Sequence, residues 1–237
     1  MKQLLLFDID GTLVRGGPAK NVFQDALVRI YGTAGPIDAW EFSGKTDPQI
    51  ARELLREAGL PDDEIDRGLP RLWDHYLVGL EAGLREFPME LLPGVRALLR
   101  ALEALQEAGE VALGLVTGNL ARGAELKLGS AGIRLSLDVG GFGSDHEERD
   151  ALPGIALTRA RSMLGRSFEA HEVVVIGDTP RDVACGRAHG TRTVAVATGS
   201  YGVEVLAATG ADHVIESFSE TEQVLRLFLP EGEGRAA

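Results

Sequence analysis

The amino-acid sequence predicts an α/β protein: a doubly wound, mostly parallel sheet core with an inserted α-helical cap. Three observations support this class. Short apolar runs alternate with helical segments through the second half of the chain, as they do in parallel sheets covered on both faces. One further apolar run stands alone near the N-terminus, and the stretch that follows it shows only helical spacing. Apolar residues make up 44% of the 237 residues, which is enough to build a large core.

The predicted strands are short apolar runs that end at glycine or polar residues. In chain order they cover residues 4–9, 111–116, 138–142, 173–176, 193–197 and 213–215. Near-continuous apolar runs of this kind are typical of strands that are buried on both faces of a sheet.

The predicted helices follow from apolar residues at helical spacing and from capping signals. Gly32 marks the end of the first helix, and Thr46 or Asp47 is a good N-cap with Pro48 at the first helical position. The predicted helices cover residues 19–31, 48–58, a start at 61–64, 69–84, 95–108, 121–130, 153–164 and 182–189.

The order of these elements predicts two domains. Residues 15–88 form the helical cap, and residues 1–14 together with 89–237 form the α/β core. The two connections, near residues 15–18 and 88–89, would act as a hinge pair, and a cap on a doubly wound core suggests a site at the seam. The composition of residues 231–237 predicts a disordered tail.

Composition narrows the class of partner. The chain carries 24 basic and 36 acidic residues, a net charge of −12, which argues against nucleic acid and anionic membranes as partners. Its single cysteine, Cys185, cannot form an intramolecular disulfide, which fits a reducing compartment. No apolar run is long enough to span a bilayer, and the first one ends at Asp8 and Asp10, too early for a signal peptide. We therefore expect a soluble cytoplasmic protein; its oligomeric state is not indicated.

Polar residues follow three of the predicted strands at the point where each strand ends. They are Asp8 and Asp10 after the first strand, Thr117 after the second, and Asp178 and Asp182 after a later one. The carboxyl ends of central parallel strands converge on one crevice, so these side chains are expected to meet there. Carboxylates that meet repel one another and need a cation, and oxygen ligands favour Mg²⁺.

Three motifs carry a family resemblance across the whole chain. They are Asp8-Ile9-Asp10-Gly11-Thr12-Leu13, Val116-Thr117-Gly118-Asn119 and Gly177-Asp178-Thr179-Pro180-Arg181-Asp182-Val183. Their order resembles the haloacid dehalogenase (HAD) superfamily, whose core is Rossmann-like. The helical insert after the first motif resembles the cap of the phosphoglycolate phosphatase and β-phosphoglucomutase branch.

The resemblance implies a role for each matching residue. Asp8 would be the nucleophile that forms an aspartyl phosphate, and Asp10 would give a proton to the leaving oxygen and later take one from water. The Asp8 carboxylate, the Asp10 backbone carbonyl and Asp178 would hold Mg²⁺. The Thr117 hydroxyl and the amides of Gly118 and Asn119 would bind the phosphoryl oxygens.

Two further positions matter for the site. Asp182 would orient a metal-bound water or pair with the cation of the third motif. The cap loop faces the active site in related phosphatases, so Lys45 would contact substrate, although a solvated lysine is an equally good interpretation.

The third motif departs from the family pattern. The superfamily usually has a lysine before the helix that precedes the last motif, and this chain has none between Lys127 and Asp178. Arg149 is the predicted substitute, although its planar fork differs from a point charge. Lys127 is the rival, but it falls in the middle of a predicted helix, at a position that we interpret as structural.

The resemblance implies a Mg²⁺-dependent phosphatase that hydrolyses a small phosphomonoester, phosphoglycolate-like or a sugar phosphate. Asp10 favours phosphate esters, because dehalogenases of the superfamily lack an acid there. One alternative is a phosphomutase of the β-phosphoglucomutase type. Such enzymes usually show a Ser-Arg pair in the cap loop, where this chain has Gly44-Lys45-Thr46-Asp47, which favours hydrolysis. A non-catalytic binding protein on the same fold is the other alternative.

Overall fold

A computed structural model describes residues 1–229 of the chain. Within those residues six strands form one parallel sheet with helices on both faces, so the predicted doubly wound α/β class is confirmed. The predicted disordered tail, residues 231–237, lies outside the described residues.

The sheet has the strand order β5-β4-β1-β6-β7-β8, and every neighbouring pair is parallel. Two more strands, β2 and β3, form a separate antiparallel ribbon that the sequence pattern does not predict. The strands are β1 (Gln3–Phe7), β2 (Val14–Gly16), β3 (Met89–Leu91), β4 (Val111–Thr117), β5 (Gly140–Phe142), β6 (Val173–Gly177), β7 (Arg192–Val196) and β8 (His213–Ile215).

Helices surround the sheet and also fill the segment between β2 and β3. The helices are α1 (Ala19–Tyr31), α2 (Asp47–Glu57), α3 (Asp62–Glu86), α4 (Val95–Glu107), α5 (Ala121–Ser130), α6 (Leu152–Leu164), α7 (Pro180–Ala188), α8 (Val203–Ala207) and α9 (Thr221–Phe228).

The central strand β1 shows why the sheet is covered on both faces. Its residues alternate between two cores, because successive side chains of a strand point to opposite faces. Leu4 and Leu6 are fully buried in a core that includes Leu152 of α6, whereas Phe7 packs edge-on against Phe228 of α9. A strand buried on both faces has no solvent-facing position, which explains its uninterrupted apolar run.

The helical segment α1–α3 packs around its own apolar contacts. Phe23 of α1 stacks on Trp73 and meets Tyr76 edge-on, both from α3. The sequence predicts two helices, at 61–64 and 69–84, and this is wrong: α3 is one helix of 25 residues that contains Pro70. Residues buried along most of its length, from Ile65 to Leu84, stabilise one continuous helix despite the hydrogen bond that proline removes.

Among residues 1–229, no helix combines the length and the apolar character that crossing a membrane requires.

Candidate active site

The strand order brings the motif residues to one edge of the sheet. β1 lies between β4 and β6, with Phe7 in register with Leu115 on one side and Ile176 on the other. Asp8, Thr117 and Asp178 therefore lie side by side where these three strands end. Because the strands are parallel, their carboxyl ends open onto a common crevice.

Asp8 is the buried centre of this edge. Its backbone N–H donates to the Ile176 carbonyl over 2.8 Å, and its Oδ1 accepts a hydrogen bond of 2.9 Å from Nη2 of Arg149. Burial raises the pKa of Asp8 to about 7; Arg149 opposes the shift, while Asp182 and Asp10 add to it. The carboxylate is thus held in place, and Arg149 only partly compensates for the burial of its negative charge.

Arg149 reaches Asp8 from the start of a 3₁₀ turn, Arg149–Ala151, that precedes α6. The same Nη2 also donates to Asp182, and the Arg149 side chain is almost fully buried. The structure therefore places Arg149, and not Lys127, against Asp8.

Asp182 holds Arg149 from the opposite side. Its Oδ2 accepts hydrogen bonds from the backbone N–H and the hydroxyl of Thr179, over 2.9 and 2.7 Å, in a capping box that opens α7. Its Oδ1 faces Arg149. Both oxygens have protein partners, which fits the predicted pairing with the third-motif cation.

Asp178 lies in a close-fitting recess. The Thr12 hydroxyl donates to its Oδ1 over 3.0 Å, and Gly11 passes so near that a Cβ there would clash with the carboxylate. Gly11 also has a φ of +84°, which a residue with a side chain rarely adopts. Burial raises the pKa of Asp178 to about 8, and the nearby Asp182 and Asp8 add to the shift.

Three buried carboxylates can face one cation. Ligand oxygens of Asp8, Asp178 and Asp182 lie within 4.8 Å of one another. Burial and mutual repulsion raise the pKa values of Asp8 and Asp178, so a hard divalent cation would stabilise their ionised forms. The residues present therefore fit a divalent metal. Asp10 adds no carboxylate to this cluster.

The Asp10 carboxylate instead contacts two donors, one that precedes α5 and one within α5. Its Oδ2 accepts hydrogen bonds from Nδ2 of Asn119 and Nζ of Lys127, each 2.7 Å long. The side chain of Asp10 is 43% exposed, whereas that of Lys127 is only 6% exposed. Burial works against the charge of Lys127, but Asp10 and Asp47 outweigh it and raise its pKa.

One cavity of about 420 Å³ joins these residues to the helical segment. Its lining includes eight of the predicted site residues: Asp8, Asp10, Lys45, Thr117, Gly118, Asn119, Arg149 and Asp178. Asp182, buried beneath Arg149, is not among them.

The cavity is also lined by residues that the sequence does not single out as functional, and by Lys127, the rival for the third-motif cation. Lys20, Phe23 and Tyr76 line it from the helical segment, and Lys127 lines it from α5. Lys127 lies on the buried face of α5 beside Ala124 and Leu128. A lysine on a buried helix face is rare unless it is paired, and that signal identifies the position.

Lys45 lines the cavity but already has partners in the helical segment. Its Nζ pairs with Glu53 and lies 5.3 Å from the centre of the Trp40 ring. These contacts place Lys45 at the cavity wall and leave its charge shared with Glu53.

The cap loop, residues 44–47, contacts the loop that follows β4, residues 118–120. The Asp47 backbone N–H donates to the Gly118 carbonyl over 2.8 Å, and Oδ2 of Asp47 accepts from the Leu120 N–H over 2.9 Å. A Cβ on Gly118 would clash with the Lys45 carbonyl oxygen. Glycine is therefore needed at position 118 for the two loops to approach this closely.

Comparison with known proteins finds relatives that match almost the whole chain. A phosphoglycolate phosphatase from Synechococcus elongatus is 28% identical over 225 residues, which cover 94% of this chain and 97% of the relative. A phosphoglycolate phosphatase from Chromobacterium violaceum is also 28% identical over 225 residues, covering 93% and 95%.

Solved structures share the fold. A hydrolase from Pseudomonas syringae superposes with a TM-score of 0.70 at 19% identity, covering 97% of this chain and all of the other. The family model for haloacid dehalogenase-like hydrolases matches residues 2–190, which include all three motifs. The chain therefore belongs to the haloacid dehalogenase-like hydrolase family, as the motifs predict.

Proposed function

We propose that the protein is a Mg²⁺-dependent phosphatase that hydrolyses a small-molecule phosphomonoester through an aspartyl phosphate on Asp8. One observation carries the proposal: Asp8, bound by Arg149 over 2.9 Å, lines the same cavity as Asp178 and the partly exposed Asp10. A nucleophile, a fixed positive charge and a proton-transfer group are thereby present at one place.

In the proposed reaction a carboxylate oxygen of Asp8 attacks phosphorus, and the bond from phosphorus to the leaving oxygen breaks. Asp10 donates a proton to that oxygen, so the alcohol leaves neutral. Water then attacks the aspartyl phosphate, Asp10 takes its proton, and the Asp8–phosphorus bond breaks to release inorganic phosphate. Both half-reactions use the same two carboxyl groups.

The remaining motif residues bind the phosphoryl group. The Thr117 hydroxyl and the amides of Gly118 and Asn119 lie at a strand-to-helix turn, which favours anions. Arg149 stabilises negative charge on Asp8 and on the transferred group. The Asp8 carboxylate, the Asp10 backbone carbonyl and Asp178 would hold Mg²⁺, which would supply charge neutralisation that these side chains alone lack.

The substrate class follows from the residues that line the cavity on the side of the helical segment. Lys20, Lys45 and Tyr76 offer cationic and hydroxyl groups within a space of about 420 Å³, which suits a short anionic or hydroxylated group on the phosphate. The names of the relatives above support phosphoglycolate as the first compound to test, with sugar phosphates next. A cytoplasmic location fits the single buried cysteine, Cys185.

Release of inorganic phosphate by the purified chain tests this proposal. The panel contains phosphoglycolate, sugar phosphates, nucleotides, pyrophosphate and p-nitrophenyl phosphate, each with Mg²⁺ and with EDTA. We expect hydrolysis that EDTA abolishes and added Mg²⁺ restores. Activity that persists in EDTA would contradict the metal requirement.

Two variants sharpen the result. Asp8→Asn should lose turnover, whereas Asp63→Asn, on an exposed face of α3, should keep it.

A phosphomutase would instead convert one sugar phosphate into its isomer without stoichiometric phosphate release, and a binding protein would release none from any compound.

A further inference from the structure

Two buried cations enter the site, and each contacts a different carboxylate. Arg149 donates to Oδ1 of Asp8 over 2.9 Å, and Lys127 donates to Oδ2 of Asp10 over 2.7 Å. The two cations come from different elements, since Arg149 precedes α6 and Lys127 lies in α5. Lys127 therefore has a partner of its own in the site, separate from the Asp8–Arg149 pair.

The contacts of Asp10 are one-sided. Asn119 and Lys127 both donate to Oδ2, and within residues 1–229 no hydrogen bond engages Oδ1. Two donors on one oxygen fix the rotation of the carboxyl group, so the other oxygen keeps a constant direction. A proton-transfer group needs such a fixed direction, because its geometry decides whether it reaches the reacting oxygen.

The helix that carries Lys127 is itself tied to the helical segment. The N–H of Leu120, at the start of α5, donates to Oδ2 of Asp47 over 2.9 Å. Lys127 follows about two turns further along the same helix. Asp47 also raises the pKa of Lys127, although burial opposes that shift. The position of Lys127 is thus linked to the cap loop, residues 44–47, through the hydrogen bond at the start of α5.

We propose that Lys127 is a positioning residue for the proposed phosphatase reaction: it holds Oδ2 of Asp10 so that Oδ1 exchanges the proton. The inference rests on the proposed function. In the first half-reaction the proton passes from Asp10 to the leaving oxygen as the phosphorus–oxygen bond breaks. In the second it returns to Asp10 from the attacking water. Lys127 keeps its own protons throughout.

A leaving-group comparison separates this role from a purely structural one. p-Nitrophenolate leaves without a proton, whereas the alkoxide of an alkyl phosphate needs one. We therefore expect Lys127→Met to lower kcat/KM for both esters unequally. The fold loss for an alkyl phosphate should be at least about 10 times the fold loss for p-nitrophenyl phosphate. This parameter reports the steps up to release of the alcohol, where Asp10 acts as the acid.

The ratio of the two kcat/KM values does not depend on how much of a preparation is folded, so a destabilised variant still gives a result. Lys127→Arg keeps a charge and donors, and we expect it to recover part of the ratio. Arg122→Met removes a cation from the exposed face of the same helix and should leave the ratio unchanged.

Each outcome decides the inference. A larger loss on the alkyl ester than on p-nitrophenyl phosphate supports it. An equal loss on both esters, or no loss on either, would overturn it while leaving the phosphatase proposal intact. If the unmodified chain hydrolyses neither ester, the proposed function fails, and the role of Lys127 fails with it.

Discussion

Arg149 and Asp8 are 141 residues apart in the chain and are joined by a hydrogen bond of 2.9 Å. The same Nη2 atom of Arg149 also meets Asp182, which is fixed in turn by Thr179. Nη2 carries two N–H groups, so this one nitrogen can donate to both carboxylates. This geometry explains how an arginine fills a position where the family usually has lysine.

Replacing Arg149 should reduce catalysis strongly. We expect Arg149→Ala to lower kcat by about 100-fold or more, because it removes a fixed positive charge beside the nucleophile. Arg149→Lys should recover only part of the rate, since the lysine ammonium differs in shape and reach from the planar guanidinium that fits between Asp8 and Asp182. The control is Arg161→Ala, on an exposed part of α6, which should retain wild-type kcat. Full activity of Arg149→Ala would remove this residue from the mechanism.

Asp182 should matter to stability as well as to activity. Asp182→Asn leaves the buried Arg149 with less compensation, and breaking a buried pair costs about 3–5 kcal/mol of unfolding free energy. Chemical denaturation measures this loss. The matched control breaks an exposed aspartate–arginine pair: Asp63→Asn, beside Arg67, should cost about 0.5 kcal/mol or less. Similar losses in the two variants would show that the buried pair is not special.

Metal and pH should act together on stability. The pKa of Asp8 is raised to about 7 and that of Asp178 to about 8, from an ordinary value of 3.8. In metal-free protein the unfolded chain therefore releases these protons first as pH rises. The stability that the protonated groups provide is full below about pH 4 and is lost progressively up to about pH 8.

The proposed Mg²⁺ would bind the ionised carboxylates, so adding it should restore this lost stability. We expect the rise in Tm on adding Mg²⁺ to be larger at pH 8 than at pH 5, measured by thermal unfolding against EDTA. Asp178→Asn should reduce the rise at pH 8. A rise of the same size at both pH values would argue against a site built from these two carboxylates.

Gly118 tests whether loop closure is needed for activity. A Cβ on Gly118 would clash with the Lys45 carbonyl, so Gly118→Ala should push the cap loop away from the phosphate motif. We expect kcat/KM to fall by about 100-fold, the scale of an ångström-sized misplacement. Gly129→Ala is the matched control in α5, where an added Cβ meets nothing within 4 Å. It should keep activity and gain up to about 1 kcal/mol of stability. Unchanged kcat/KM in Gly118→Ala would mean that closure is not needed.

The core could be predicted because each element has a local signal. The helix at 19–31 has apolar spacing and a glycine at its end, and α1 covers those residues with Gly32 in the left-handed conformation. The β2–β3 ribbon could not be predicted, since its strands are three residues each and pair across 75 residues. The prediction of two helices at 61–64 and 69–84 is wrong because packing along α3 outweighs the local preferences of the residues between them.

The site shows the same division between local and distant signals. Asp8, Thr117 and Asp178 could be placed together because parallel strands share one carboxyl edge. The sequence favours a structural role for Lys127, yet Lys127 contacts Asp10, because this contact depends on how α5 packs against a residue 117 positions away. The hydrogen bond from Leu120 to Asp47 likewise joins residues that are far apart in the chain, so no local sequence signal predicts it.

Trapping the covalent intermediate is the sharpest test of Asp8 as the nucleophile. Purified chain is mixed with Mg²⁺ and a hydrolysed phosphomonoester, quenched in acid within one turnover, digested and analysed by mass spectrometry. We expect a phosphoryl group on Asp8 that forms before phosphate appears and is absent in Asp8→Asn. Turnover without any phosphorylated Asp8, or a phosphoryl group on another residue, would contradict it.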